Sequence, residues 1–182
     1  MSRTHFALCV LSLALAACKS EPKKPAMTMA DWMTPGEAHQ QLAKGVGYWE
    51  GTLTMFGEHA TPQPVHATET VEAVGPFWIQ SRFTCDFMGQ PYVGTGCVGY
   101  DPAKKKYVGT WVDSMSSYFS KMEGQKDANG VLVLHWTAPD ETTGKMVPHR
   151  SESVETAGTR VMTFFQGKDP GTKTMVIQMK RR

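Results

Sequence analysis

The chain has 182 residues, of which 41% are hydrophobic and 20% charged, and its formal net charge is +2 at pH 7. This length and composition are typical of one globular domain, and they exclude a disordered, collagen-like or multi-span membrane protein. The small net charge gives no indication of nucleic-acid binding. The chain also has four cysteines, and their positions decide whether they favour lipid attachment, a disulfide or a metal site.

The N-terminus has the pattern of an export signal. Arg3 and His5 form a short positive region, residues 6–15 are apolar, and Leu15-Ala16-Ala17-Cys18 follows. The apolar stretch is too short to cross a bilayer as a helix. Its end resembles the bacterial lipobox, which implies that residues 1–17 are a lipoprotein signal peptide and that Cys18 becomes the acylated first residue. The alternative is an ordinary signal peptide with an incidental cysteine.

Residues 18–33 are rich in Lys, Glu, Pro and Ala and poor in large apolar residues, which predicts a flexible tether. The residue after Cys18 is Lys19, and the resemblance to Gram-negative lipoproteins implies sorting to the outer membrane, facing the periplasm. The expected partner is the membrane, contacted through the lipid anchor, and a protein partner is left open. Met27, Met29 and Met33 could bind Cu(I) through their thioethers, or they could be ordinary apolar residues.

Residues 34–182 are predicted to form a single, mainly β domain. Thr34-Pro35-Gly36-Glu37 predicts the start of one short helix with Thr34 as its N-cap, and Gly45 predicts its end. Beyond it, β-branched and aromatic runs alternate with turn residues. Ten candidate strands result, at 48–56, 65–74, 77–87, 92–100, 106–113, 117–125, 131–138, 146–155, 159–166 and 173–179. Short connections favour an antiparallel up-and-down barrel, because closure removes the exposed sheet edges.

Two cysteines lie in adjacent predicted strands. Alternation of side chains places Cys85 on the same face as Phe83, and a hairpin symmetric about Pro91 would place it opposite Cys97. That arrangement predicts a disulfide between Cys85 and Cys97, which an oxidising periplasm would favour. The alternative is two buried thiols that only pack.

Gly47-Tyr48-Trp49 resembles the G-x-W motif that opens lipocalin-type barrels. This resemblance implies that Trp49 closes one end of the barrel and that Arg181 or Arg182 stacks on its indole. The later pattern, which includes Gly94-Thr95-Gly96 and residues 106–114, resembles a bacterial family known only as domain of unknown function fifteen seventy-nine. The resemblance covers the chain from about residue 42 to its end. It implies a calycin-like barrel and carries no established activity.

Searches for catalytic patterns give no candidate. The sequence has no nucleophile elbow, Walker loop or complete calcium loop, and no histidine pair at zinc-binding spacing, so we expect no enzyme activity. No cofactor is expected either. The weak metal candidate is His135, which could ligate a haem iron, as the resemblance to haem-binding calycin barrels would allow, or be a structural histidine.

The leading hypothesis is a membrane-anchored, non-enzymatic barrel that binds a small apolar ligand. A barrel of eight to ten strands encloses either packed side chains or room for one small ligand. The pocket candidates are Trp78, Arg82, Tyr100, Trp111 and Trp136. The alternative is a structural or interaction protein of the cell envelope whose barrel is solid.

Overall fold

The computed structural model describes residues 27–57, 60–61, 63–87 and 89–182. The predicted signal peptide, the predicted lipidation site Cys18 and the first part of the predicted tether lie outside these residues. The described part contains two short helices and ten strands. They are α1 (Met29–Met33), α2 (Glu37–Ala43), β1 (Gly47–Met55), β2 (Val65–Val74), β3 (Trp78–Phe87), β4 (Gln90–Asp101), β5 (Lys106–Asp113), β6 (Ser116–Lys126), β7 (Leu132–Pro139), β8 (Met146–Thr156), β9 (Thr159–Gln166) and β10 (Thr172–Arg181).

The ten strands form a closed antiparallel barrel in which each strand pairs with its neighbours in sequence and β1 pairs with β10. This confirms the predicted all-β, up-and-down barrel. Closure is possible because every connection is short and the last strand returns beside the first, so the barrel has no free edge. No helix in the described ranges is long and apolar enough to span a membrane.

The N-terminal segment has two helices where the sequence predicted one. Helix α1 lies within the predicted tether, and a capping box between Thr28 and Asp31 begins it. Helix α2 begins two residues later than predicted, with Gly36 rather than Thr34 as its N-cap. The Gly36 amide donates to Nδ1 of His39 at 2.9 Å, so a histidine side chain supplies the cap.

Helix α2 lies across one end of the barrel. Its buried residue, His39, donates from Nε2 to the Tyr100 carbonyl at 3.2 Å, and its ring meets Phe77 and Tyr100 edge to face. We call this end, which also holds the β2–β3, β4–β5, β6–β7 and β8–β9 turns, the closed end. The opposite end, formed by the other five connections, is the mouth. The described chain therefore enters the barrel from the closed end.

The tightly packed core occupies one side of the barrel. Its buried apolar residues come from β1, β2, β3 and β10, and they are Trp49, Leu53, Ala67, Val71, Phe83, Ile177 and Met179. On the other side, Tyr107 of β5 and Leu134 of β7 are the buried large apolar residues among those described. The packing is therefore asymmetric, because fewer of the inward apolar side chains of β5–β8 are buried than of those on β1, β2, β3 and β10.

The predicted disulfide is wrong. In the β3–β4 hairpin Cys85 pairs with Tyr92 and Cys97 pairs with Gln80, and both cysteines are free. Cys97 lies five residues beyond Tyr92, which is about 16 Å along a strand and on the opposite face. A disulfide requires Cα atoms within about 7 Å. Burial raises the pKa of both thiols, which lowers their reactivity toward oxidants.

Candidate ligand cavity

The barrel encloses a cavity of about 1960 Å³. Inward side chains from all ten strands line it, and large apolar residues predominate between its two ends. Small-molecule sites usually have volumes of about 300–1,000 Å³, so this interior exceeds what one small ligand needs. The lining apolar residues include Leu53, Met55, Val71, Ile79, Phe83, Val98, Trp111, Met122, Leu134, Trp136, Met162, Phe164, Met175 and Ile177.

Trp49, the tryptophan of the G-x-W motif, lies at the closed end. It is fully buried, and its indole N–H donates to the Gly45 carbonyl at 3.0 Å. The Arg181 guanidinium lies 4.7 Å from its ring centre, and Arg160, which the sequence analysis did not single out, lies closer at 4.1 Å. Two cations therefore stack on one indole, and these contacts fix the position of the ring.

Arg160 also holds a buried ion-pair network beside Trp49. It donates to Glu69 at 2.7 Å, to Glu155 at 3.0 Å and to the Gly45 carbonyl at 3.2 Å. The side chains of Arg160 and Glu69 are each 8% exposed. Burial raises the pKa of Glu69, while the Arg160 charge and a hydrogen bond from Ser81 oppose that rise. These charged groups are paired with one another, so they have few free hydrogen-bonding positions for a ligand.

Arg182, the other arginine predicted to stack on Trp49, does not reach the indole. It is exposed and pairs with Glu50 at 2.8 Å on the outer surface. Successive side chains of a strand point to opposite faces, so only one of two neighbouring arginines can reach the indole. Arg181 is paired in register with Trp49 and reaches it.

Inside the barrel, Trp111 lies flat over two glycines of the neighbouring strand. A Cβ atom added at Gly94 would lie 2.7 Å from Cε2 of the indole, and one added at Gly96 would lie 2.5 Å from its Cε3. The indole N–H donates to the Tyr92 hydroxyl at 3.2 Å, and burial raises the pKa of Tyr92 to about 12. The Gly94-Thr95-Gly96 segment thus provides the flat surface that holds Trp111 against the wall.

A second aromatic group lines the wall two strands farther along the barrel. Trp136 of β7 stacks on His149 of β8, with ring centres 5.4 Å apart and planes at 15°, and it meets Phe164 of β9 edge to face. Burial lowers the pKa of His149, and the nearby carboxylates of Asp140 and Glu141 oppose that effect. The Nε2 atom of His149 is buried and has no hydrogen-bond partner among the described residues.

A family model described as a protein of unknown function (DUF1579) matches residues 34–182. The chain belongs to this family. The match begins just before α2 and ends with the last residue, so the whole DUF1579 barrel and its covering helix fall within it. A search of curated proteins gave no match.

The structure separates the five predicted pocket residues of the DUF1579 barrel. Trp111 and Trp136 line the cavity. Trp78 and Arg82 are exposed on the outer face of β3, where the Trp78 indole covers Gly99, so their prediction as pocket residues is wrong. Tyr100 is inward, but its ring contacts His39 and Tyr107 under α2, and it is not among the lining residues.

The predicted metal candidates have the following positions. His135 is exposed on the outer face of β7, whereas its neighbours Leu134 and Trp136 line the cavity on the inner face. It therefore cannot ligate a group inside the barrel. Met29 and Met33 are exposed on α1, and Cu(I) binding there stays a prediction. Within the described ranges, no group of three or more His, Cys, Asp or Glu side chains could hold a metal ion.

Proposed function

We propose that this DUF1579 protein is a periplasmic lipoprotein, anchored to the outer membrane, whose calycin-like barrel binds a small apolar ligand without catalysing a reaction. The observation that carries the proposal is the cavity of about 1960 Å³ lined mainly by apolar side chains. It also argues against the alternative of a solid envelope protein, which requires a packed interior.

The apolar lining favours a ligand with a long hydrocarbon part. Each buried methylene group contributes about 0.8 kcal/mol, so a chain of roughly ten methylenes contributes about 8 kcal/mol before the cost of association. Trp111 and Trp136 offer flat contact surfaces on β5 and β7, which are separated by one strand. The glycines beneath Trp111 hold it against the wall and so leave the centre open.

The membrane anchor is proposed from the sequence of residues 1–18. The described chain approaches the barrel through α2 at the closed end, so an anchor at Cys18 would attach the barrel by that end. Radiolabelled palmitate should be incorporated into the wild-type chain and not into Cys18→Ser, and density-gradient fractionation should recover the labelled protein with outer membranes. Labelling of Cys18→Ser at the wild-type level would contradict the anchor.

Ligand binding is tested by what co-purifies with the full chain. Protein isolated in a mild detergent would be extracted with organic solvent and the extract analysed by mass spectrometry. Ala138→Trp adds a large side chain to the lining near the mouth, while Thr137→Trp adds the same group to the outer face of the same strand. We expect an apolar compound to be retained by the wild type and Thr137→Trp and depleted from Ala138→Trp. Equal retention by all three would contradict the proposal.

A further inference from the structure

The inner face of β8 differs from the inner faces of its neighbours. Its inward side chains include His149, Ser151 and Ser153, which we call the polar column. The residues paired with them on β7 and β9 are mostly apolar: Ser151 faces Leu134 and Phe164, and Ser153 faces Leu132 and Met162. A polar strip therefore runs lengthwise along an otherwise apolar wall of the cavity.

The hydrogen-bonding groups of the polar column are not satisfied by the protein. Among the described residues, the hydroxyls of Ser151 and Ser153 have no hydrogen-bond partner, and neither does the buried Nε2 of His149. Ser151 is itself buried. Buried polar groups in folded proteins nearly always have a partner, because leaving one unpaired costs stability. One buried, unpaired nitrogen and two hydroxyls without a protein partner, on successive inward positions of one strand, offer three hydrogen-bonding groups to a molecule in the cavity.

The charges that line the cavity lie toward its two ends, and the ones nearest to the polar column are carboxylates: Asp140 and Glu141 near His149, and Glu155 two residues beyond Ser153. Charged lining residues lie at the closed end or at the mouth, and they are Lys44, Glu69, Lys126, Glu155, Arg160 and Arg181 at the former and Asp113, Asp140, Glu141 and Lys173 at the latter. The buried ones at the closed end are paired with one another. Burial also lowers the pKa of His149, which favours its neutral form. An anionic head group beside the column would therefore meet carboxylates rather than a counter-ion.

We propose that the polar column binds the hydrogen-bonding groups of an uncharged amphipathic lipid, whose hydrocarbon chain lies against the apolar walls. The inference deepens the proposed ligand-binding function and rests on it. Successive inward residues of a strand are about 6–7 Å apart, which suits hydroxyl and ester oxygens separated by a few bonds, as in an acylglycerol. Serine hydroxyls and a neutral imidazole can both donate and accept, so they match such a head group.

Three probes with eighteen-carbon chains separate head-group recognition from hydrophobic binding. The full chain would be incubated with equal amounts of monooleoylglycerol, oleate and 1-octadecene, separated from free lipid by gel filtration, and extracted for quantification by mass spectrometry. We expect monooleoylglycerol to be retained about tenfold more than either of the others, the effect of one or two net hydrogen bonds. Retention of oleate or 1-octadecene at the same level would overturn the inference.

The variants test whether the polar column is responsible. In Ser151→Ala/Ser153→Ala the ratio of monooleoylglycerol to 1-octadecene should fall to near one, whereas Thr137→Ala, on the outer face of β7, should keep the wild-type ratio. An unchanged ratio in the double variant would mean that water alone satisfies the column, and would refute its role. Retention of none of the probes above the level of Ala138→Trp would instead refute the proposed ligand binding itself.

Discussion

Replacing Arg160 by Met should expose how the closed end is stabilised. The Met side chain is similar enough in length and shape to keep an apolar contact with Trp49. The substitution removes the N–H groups that donate to Glu69, Glu155 and the Gly45 carbonyl. The Gly45 carbonyl keeps a second donor, the indole N–H of Trp49. Glu155 keeps Arg181, 3.5 Å away. The group left without a counter-ion is therefore Glu69, whose side chain is 8% exposed and which keeps only the hydrogen bond from Ser81.

The magnitude follows from that stranded charge. Removing one partner of a buried ion pair costs about 3–5 kcal/mol, which lowers the melting temperature of a domain of this size by roughly 6–20 °C. Glu69→Met/Arg160→Met removes both charges, so it should be at least about 1 kcal/mol more stable than Arg160→Met. Urea unfolding at pH 7.5, followed by tryptophan fluorescence, gives these free energies. Arg182→Met, which breaks the exposed pair with Glu50, is the matched control and should leave the midpoint unchanged.

The pH dependence gives the sharpest test of the mechanism. Burial already raises the pKa of Glu69, and loss of the Arg160 charge removes an opposing influence, so the pKa rises further in Arg160→Met. The pKa of Glu69 is then higher in the folded than in the unfolded state, so the folded state binds more protons at pH values between the two. The free energy of unfolding therefore falls as the pH rises from the unfolded pKa to the folded pKa. Part of the stability that Arg160→Met loses relative to the wild type should therefore be recovered when the pH is lowered from 7.5 to 5.5. An equal loss at both pH values, or a double variant no more stable than Arg160→Met, would refute the reasoning.

Three further predictions follow from other parts of the barrel. Gly124→Ala should destabilise the fold strongly, because its Cβ would lie 2.8 Å from the Val133 carbonyl carbon, whereas Gly36→Ala, with nothing within 4 Å, should shift the urea midpoint much less. Intact-mass analysis after alkylation in denaturant without reductant should show Cys85 and Cys97 both modified, and unmodified residues joined by a disulfide would contradict the register. Burial lowers the pKa of His149 from 6.5, so below about pH 6.5 the unfolded state binds more protons than the folded state, and acid lowers the free energy of unfolding. His149→Phe should therefore lose less stability than the wild type when the pH is lowered from 7.5 to 5.5. An identical acid sensitivity in both proteins would argue against this reasoning.

The strands were predictable because their signals are local. Alternating side chains and turn residues indicated all ten, and short connections indicated closure. The predicted β3–β4 register, a hairpin symmetric about Pro91, is wrong. The hairpin turns instead near Gly89, which has φ +78° and whose amide donates to the Asp86 carboxylate at 2.7 Å. A glycine at positive φ sets the register of a tight hairpin, while proline is tolerated within the following strand. The misplaced turn produced the wrong disulfide.

The direction of each side chain was harder to predict, because aromatic residues occur on both faces of the barrel. Trp78 lies outside over Gly99, and Trp111 lies inside over Gly94 and Gly96. In both cases the indole covers a strand that lacks Cβ atoms, so the glycine pattern predicts the packing but not which face is inward. Arg160 was missed for a different reason: its partner Glu69 is 91 residues away, and only the closed barrel brings them together.

The paired charges and the unpaired polar groups lie in different parts of the barrel. The packed side and the closed end hold the large buried residues and the paired charges, so their polar groups are already satisfied by the protein. The inner surface of β5–β8 has fewer buried apolar residues and carries the unsatisfied polar column. Substitutions at Arg160 and at Ser151 share no contact, so their effects should add rather than couple.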